Sequence, residues 1–68
     1  VALSARNQLQ GKIKDIRIGD IMAHVTVKVG PNLIESVITR TSAEELNLKK
    51  GDPVRVVVKS TEVMIQKD

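Results

Sequence analysis

The apolar residues of this 68-residue chain are ten valines and seven isoleucines against five leucines, four alanines and two methionines, with no aromatic residue at all. Branching at Cβ stiffens χ1 and disfavours helix, while the same side chains pack well on a pleated surface. Where they alternate with polar residues, the pattern specifies half-buried strands. Ile21, Ala23, Val25, Val27 and Val29 form the cleanest such run, with Met22, His24, Thr26 and Lys28 pointing the other way, so a strand is predicted there. The chain is therefore expected to be a small all-β protein.

The remaining elements follow from the same alternation. Leu9, Gly11 and Ile13 share one phase, whereas Ile16 and Ile18 share the opposite one. One extra residue near Lys14–Asp15 reconciles them, which predicts a β-bulge that turns a long first strand around a corner. Gly19-Asp20 and Gly30-Pro31-Asn32 read as turns. The strand from Leu33 to Arg40 carries apolar residues on both faces: Leu33 and Val37 on one, Ile34 and Ile38 on the other. One face is expected to meet the core and the other a partner. A short helix opens at Thr41-Ser42-Ala43-Glu44-Glu45, with Ser42/Glu45 or Thr41/Glu44 as a capping box, and Asn47 to Gly51 finish it. Leu46 and Leu48 are expected to plug one end of the sheet. Val54, Val56 and Val58 make the fourth strand, Ser60-Thr61 a turn, and Val63 with Ile65 a fifth strand. The order β-β-β-α-β-β predicts one domain over 1–68, an OB-like five-stranded Greek-key barrel with one short helix between strands 3 and 4. An SH3-like barrel is the competing all-β fold.

Size and composition narrow the function. A domain near 60 residues buries only about 60% of the surface its unfolded chain exposes. It needs a staple, and with no cysteine that staple is oligomerisation or a ligand. The lack of cysteine also removes zinc-knuckle, iron–sulfur and thiol chemistry. A lone His24 cannot build a histidine metal site within one subunit, and mid-strand it reads as a surface or interface residue. Glu44 and Glu45 are adjacent and point apart on a helix, and the four glycines are isolated, so neither a carboxylate pair nor a phosphate loop is present. No enzyme is expected. The net charge of +3 favours anionic partners. Nucleic acid, the alternative reading for an OB module, is disfavoured because no ring is available for base stacking. A third reading is a purely structural oligomerisation module. No apolar run approaches a membrane span and no signal pattern opens the chain, which predicts a soluble, cytoplasmic protein with no membrane partner.

Three short segments are rich in hydrogen-bond donors and poor in acids: Ser4-Ala5-Arg6-Asn7, Thr39-Arg40-Thr41-Ser42-Ala43, and Lys59-Ser60-Thr61. A small oxyanion needs cations, hydroxyls and free N–H groups of this kind. Arg6 offers a fork, Lys59 a point charge, and Ser42 and Ala43 lie where helix N–H groups lack an intrahelical acceptor. Each segment alone has an ordinary structural explanation: a surface cation, a helix cap, a cation guarding an edge strand. Spacing does not show that they meet.

At these segments, SARNQLQGKI, VITRTSAEELNLKKGDPV and VVVKSTEVMI, the chain resembles the molbindin (Mop) family of small molybdate-binding proteins over nearly its whole length. The resemblance implies an OB-like barrel that binds molybdate, and usually tungstate, unchanged and without an organic cofactor. It implies a homo-hexamer, a trimer of dimers, with oxyanion sites between subunits. One subunit would contribute Ser4, Arg6, Lys59 and Ser60; the other would contribute Thr39, Ser42 and Ala43. A second class of site near the threefold axis is also implied, with Asn7 and His24 as its candidates. A module with no DNA-binding or ATPase portion points to storage or buffering of the anion.

Overall fold

The computed structural model describes residues 6–68. Strands β1 (Asn7–Ile18), β2 (Met22–Val29) and β3 (Asn32–Thr39) are followed by helix α1 (Arg40–Glu45), strand β4 (Pro53–Val58) and a single 3₁₀ turn (Ser60–Glu62). The sheet is antiparallel with order β3-β2-β1-β4. Its organiser is β1, twelve residues long. The first half of β1 pairs with β4 and the second half with β2, and the two pairings overlap at Lys12, opposite both Pro53 and Lys28.

The register of β1 against β2 slips between Ile13 and Asp15, where the alternation changes phase. Lys14 is the extra residue. The bulge lets Ile13, before it, and Ile16, after it, both pack in the core, and it bends and twists the strand. The inner side at Gly11 is correspondingly tight: a Cβ there would lie 2.5 Å from the Lys28 carbonyl oxygen. Two short turns set the other registers. Gly19 donates to the Met22 carbonyl at 2.8 Å, closing the β1–β2 hairpin. Gly30, at φ +58°, occupies the first central position of the β2–β3 turn, where a II′ turn calls for glycine.

The core is small. Ile13, Val25 and Val27 are buried, with Ile16, Val29, Ile38, Leu48, Val54 and Val56 packed against them, and Ala23 and Ala43 are also buried. The predicted faces of β3 are found: Ile34 and Ile38 turn inward while Leu33 and Val37 are 51% and 64% exposed. Ile21 departs from the predicted inward row at 76% exposure, because it lies in the hairpin turn rather than on β2.

Three expectations need correction. First, among the described residues the sheet has four strands. Residues 63–68 form no strand, and Met64 and Ile65 are about nine-tenths exposed. The pairing of β4 with β1 ends at Asn7–Val58, so the chain leaves the sheet with no partner strand beside it. The five-stranded Greek-key closure is therefore not made within these residues. Second, α1 begins at Arg40 with Thr39 as its N-cap, two to three residues earlier than the expected caps. Thr39 is still extended, and its Oγ1 accepts from the Ser42 N–H at 3.1 Å. The Arg40 N–H donates to the Ile21 carbonyl at 2.7 Å, tying the helix to the first hairpin. Third, Leu48 packs on the core but Leu46 is 66% exposed. The helix ends in a Schellman motif with Asn47 at φ +51°: the Asn47 N–H bonds the Glu44 carbonyl and the Leu48 N–H the Ala43 carbonyl. That reversal carries Leu48 inward and leaves Leu46 outside.

Candidate functional site

The donor-rich segments fall into two groups. Ser4 lies outside the described residues. Arg6 is exposed immediately before β1. The β1–β4 register pairs Asn7 with Val58, so Arg6 and Lys59 are the next opposing positions along the two strands. Lys59 is extended and exposed, and Ser60 opens the 3₁₀ turn beside it, where the Glu62 N–H bonds the Lys59 carbonyl at 2.9 Å. Two cations and a hydroxyl thus belong to one end of the sheet. Neither Arg6 nor Lys59 takes part in any of the ion pairs among the described residues.

The second group lies at the start of α1. Thr39 and Ser42 are joined twice: the Ser42 N–H donates to Thr39 Oγ1, and the two hydroxyl oxygens are 2.9 Å apart with Thr39 donating. Both side chains remain on the exposed or half-buried rim. Ala43 is 2% exposed, so only its backbone could serve a ligand. With the helix starting at Arg40, Ala43 is the fourth helical residue. The regular i−4 pattern supplies its N–H with an acceptor, contrary to the free N–H expected there. The N–H groups of Arg40 and Ser42 are likewise occupied, by Ile21 and by Thr39.

Sequence reasoning passed over Arg40. Its Nε bonds Glu44 Oε1 at 3.1 Å, so one of the two adjacent acids of the helix, Glu44, is neutralised from within it. The signal was available in the i, i+4 spacing of Arg40 and Glu44.

The two groups do not meet within one copy. Thr39 pairs with Met22, beside the hairpin that ends β1, whereas Arg6 precedes the start of β1. The whole of β1, twelve residues at about 3.3 Å each, runs between them. Asn7 and His24 are also apart: Asn7 pairs with Val58, and His24 pairs with Arg17 and Val37 while its Nε2 lies 3.3 Å from Glu35 Oε1. That carboxylate makes the surroundings of His24 unfavourable to an anion. Among the described residues no group of three or more His, Asp or Glu could hold a metal ion, and no helix is long and apolar enough to cross a membrane.

With this geometry in place, the likeness to known proteins is specific. The TOBE domain family model matches residues 3–65. Molybdenum-pterin-binding protein 1 of Clostridium pasteurianum is 46% identical over 66 residues, covering 96% of this chain and 97% of that one. Among solved structures, a molybdate-binding protein from Sporomusa ovata superimposes with a TM-score of 0.94 at 33% identity, covering 98% of this chain and all of that one. MopII from Clostridium pasteurianum does so at 0.90 with 45% identity, covering 97% and 100%.

Proposed function

The chain belongs to the TOBE-domain family and, within it, to the molybdenum-pterin-binding (Mop) proteins, and from that membership we propose that it binds molybdate, and tungstate alike, at sites shared between copies of itself. Arg6 and Lys59 of one copy neutralise the dianion. Hydroxyls of Ser4 and Ser60 from that copy, and of Ser42 from the next, donate to its oxygens; Thr39 joins them by turning its hydroxyl from Ser42 to the anion, with the backbone at Ala43 beside them. Burying a dianion is tolerable only when it is both paired and hydrogen-bonded; the Thr39–Ser42 group has no free cation, and the Arg6–Lys59 group is exposed at the end of the sheet and encloses nothing alone. The observation that carries the reading is this division: Arg6 and Lys59, cations outside the ion pairs of the described residues, with Ser60 at one end of β1, and the Thr39–Ser42 hydroxyl pair at the other, in a chain whose relatives are named for molybdenum.

The apolar outer face supports assembly. Val37 and Met22, diagonal neighbours on adjacent strands, are 64% and 44% exposed, while Leu33 lies farther along beside Lys28; this leaves apolar surface at the Met22–Val37 end of the face for a second copy to cover. A homo-hexamer arranged as a trimer of dimers supplies both that burial and the composite sites. The role that fits is reversible storage or buffering of the oxyanion in the cytoplasm.

Specificity against phosphate follows from the lack of a carboxylate in the proposed lining. At neutral pH phosphate carries a proton, and the proposed set holds no carboxylate to take it; only a hydroxyl oxygen could accept, and it would do so by turning its own hydrogen away from the anion. Sulfate, a fully deprotonated dianion, has to be refused by cavity size. Calorimetric titration of the chain with molybdate, tungstate, sulfate and phosphate is expected to give strong, similar heats for the first two and none for phosphate. Equal heats for all four, or none for any, would refute the assignment.

A further inference from the structure

The outer face of the β1–β4 half of the sheet carries a second feature. On β1 the outward positions are Gln8, Gln10 and Lys12, between the inward Gly11 and Ile13; on β4 they are Pro53, Arg55 and Val57. Lys12 stands directly opposite Lys28 of β2. Like charges facing each other across an antiparallel pair are destabilising, so this arrangement works against the fold. Among the described residues no acid forms an ion pair with these cations: Asp15 pairs with Arg17, Glu35 lies against His24, Asp52 accepts from the Lys49 N–H, and Glu62 follows Lys59 in the 3₁₀ turn. Arg55 is held against the sheet, its Nη1 donating to Gln8 Oε1 at 3.0 Å. An open cleft of about 630 Å³ lies here, lined by Gln10, Gly11, Lys12, Pro53, Val54 and Arg55, with two cations and no acid. Strand parity continues the same face outward to Arg6 and Lys59. Lys28, Lys12, Arg55, Lys59 and Arg6 therefore form one stripe along six residues of β1, about 20 Å at strand rise.

We propose that this stripe is an electrostatic track that captures the oxyanion dianion from solution and steers it to the Arg6–Lys59 end of the site. The proposal rests on the molybdate-binding reading above and names how that site is supplied. A continuous field of one sign raises local counter-ion concentration and on-rates, and its effect falls steeply with ionic strength. The stripe is open and two strands wide, so it encloses no ligand. Lys12, Lys28 and Arg55 act on association and leave the bound state, held by Arg6 and Lys59, alone.

The experiment is time-resolved calorimetry with molybdate on the chain and on the triple variant Lys12→Gln/Lys28→Gln/Arg55→Gln, from low salt to about 1 M, where the Debye length is about 3 Å. The variant is expected to associate about tenfold more slowly at low salt, the lower end of what such a field supplies. Its off-rate should stay within twofold, and the two on-rates should converge at high salt. The double variant Lys12→Gln/Lys28→Gln guards against loss of the Arg55–Gln8 bond. It removes a repulsive pair, is expected to fold no worse, and should show part of the slowing. Lys12→Arg/Lys28→Arg should restore the parent rate. If the neutralised variants bind molybdate with the parent on-rate and the same salt dependence, the track is refuted and the binding site stands. If the slowing sits in the off-rate, these cations belong to the site itself and the track is again refuted. If the parent chain takes up no molybdate, both readings fall together.

Discussion

Arg6→Ala is expected to weaken molybdate binding at least tenfold while leaving the melting temperature of the ligand-free chain nearly unchanged. A hydrogen bond to a charged group is worth about 1.5–3 kcal/mol net, and each 1.4 kcal/mol is a factor of about ten in affinity. Arg6 lies ahead of β1, exposed and outside the ion pairs of the described residues, so the fold does not depend on it. Arg6→Lys separates charge from geometry. It keeps the cation but loses the planar fork that can bond two oxygens at once, and its affinity is expected to fall between those of the parent and the alanine variant. Calorimetric titration measures the first quantity and a thermal melt without ligand the second. Affinity unchanged within twofold on Arg6→Ala would remove Arg6 from the site.

The largest stability effect is expected at Gly11. An added Cβ would meet the Lys28 carbonyl oxygen at 2.5 Å, Val27 Cγ1 at 2.9 Å and Val29 Cγ2 at 3.0 Å. The first of these is backbone, so β2 itself must move away from β1, next to the Lys12–Lys28 register pair and two residues from the buried Ile13. Overpacking of this kind costs about 1–3 kcal/mol, and Gly11→Ala is expected near the upper end because no flexible side chain can yield. In a domain this small, each 1 kcal/mol moves the midpoint by about 4–8 °C, so the melt should fall by about 10 °C or more. Gly11→Val should be worse still. A shift of only a few degrees for Gly11→Ala would mean that β1 and β2 are not so closely apposed in solution.

Much of the fold was legible because it depends on local alternation. The strand through Val25 and Val27 and the phase change around Lys14 are properties of consecutive residues, and both appear where the pattern put them. The misses involve tertiary decisions. Thr39, Thr41 and Ser42 are all chemically competent caps. Thr39 wins because β3 ends there and the Arg40 N–H finds the Ile21 carbonyl across the sheet. Val63 and Ile65 have the composition of a strand, but a strand exists only where an edge is available, and the described chain offers none beside them. The crowding at Gly11 comes from β2 crossing close to it, which no spacing in the sequence encodes. For the site, residue chemistry was readable in three short segments. Their division between opposite ends of β1 emerged only from the registers, and the Arg40–Glu44 pair that neutralises the helix end had gone unnoticed.

The position of one heavy atom tests the shared site most directly. In crystals of the chain soaked with molybdate, anomalous scattering should place molybdenum between two copies, with Arg6 and Lys59 of one and Thr39 and Ser42 of the other around the same tetrahedral anion. Molybdenum held wholly by residues of a single copy, or away from both donor groups, would contradict it.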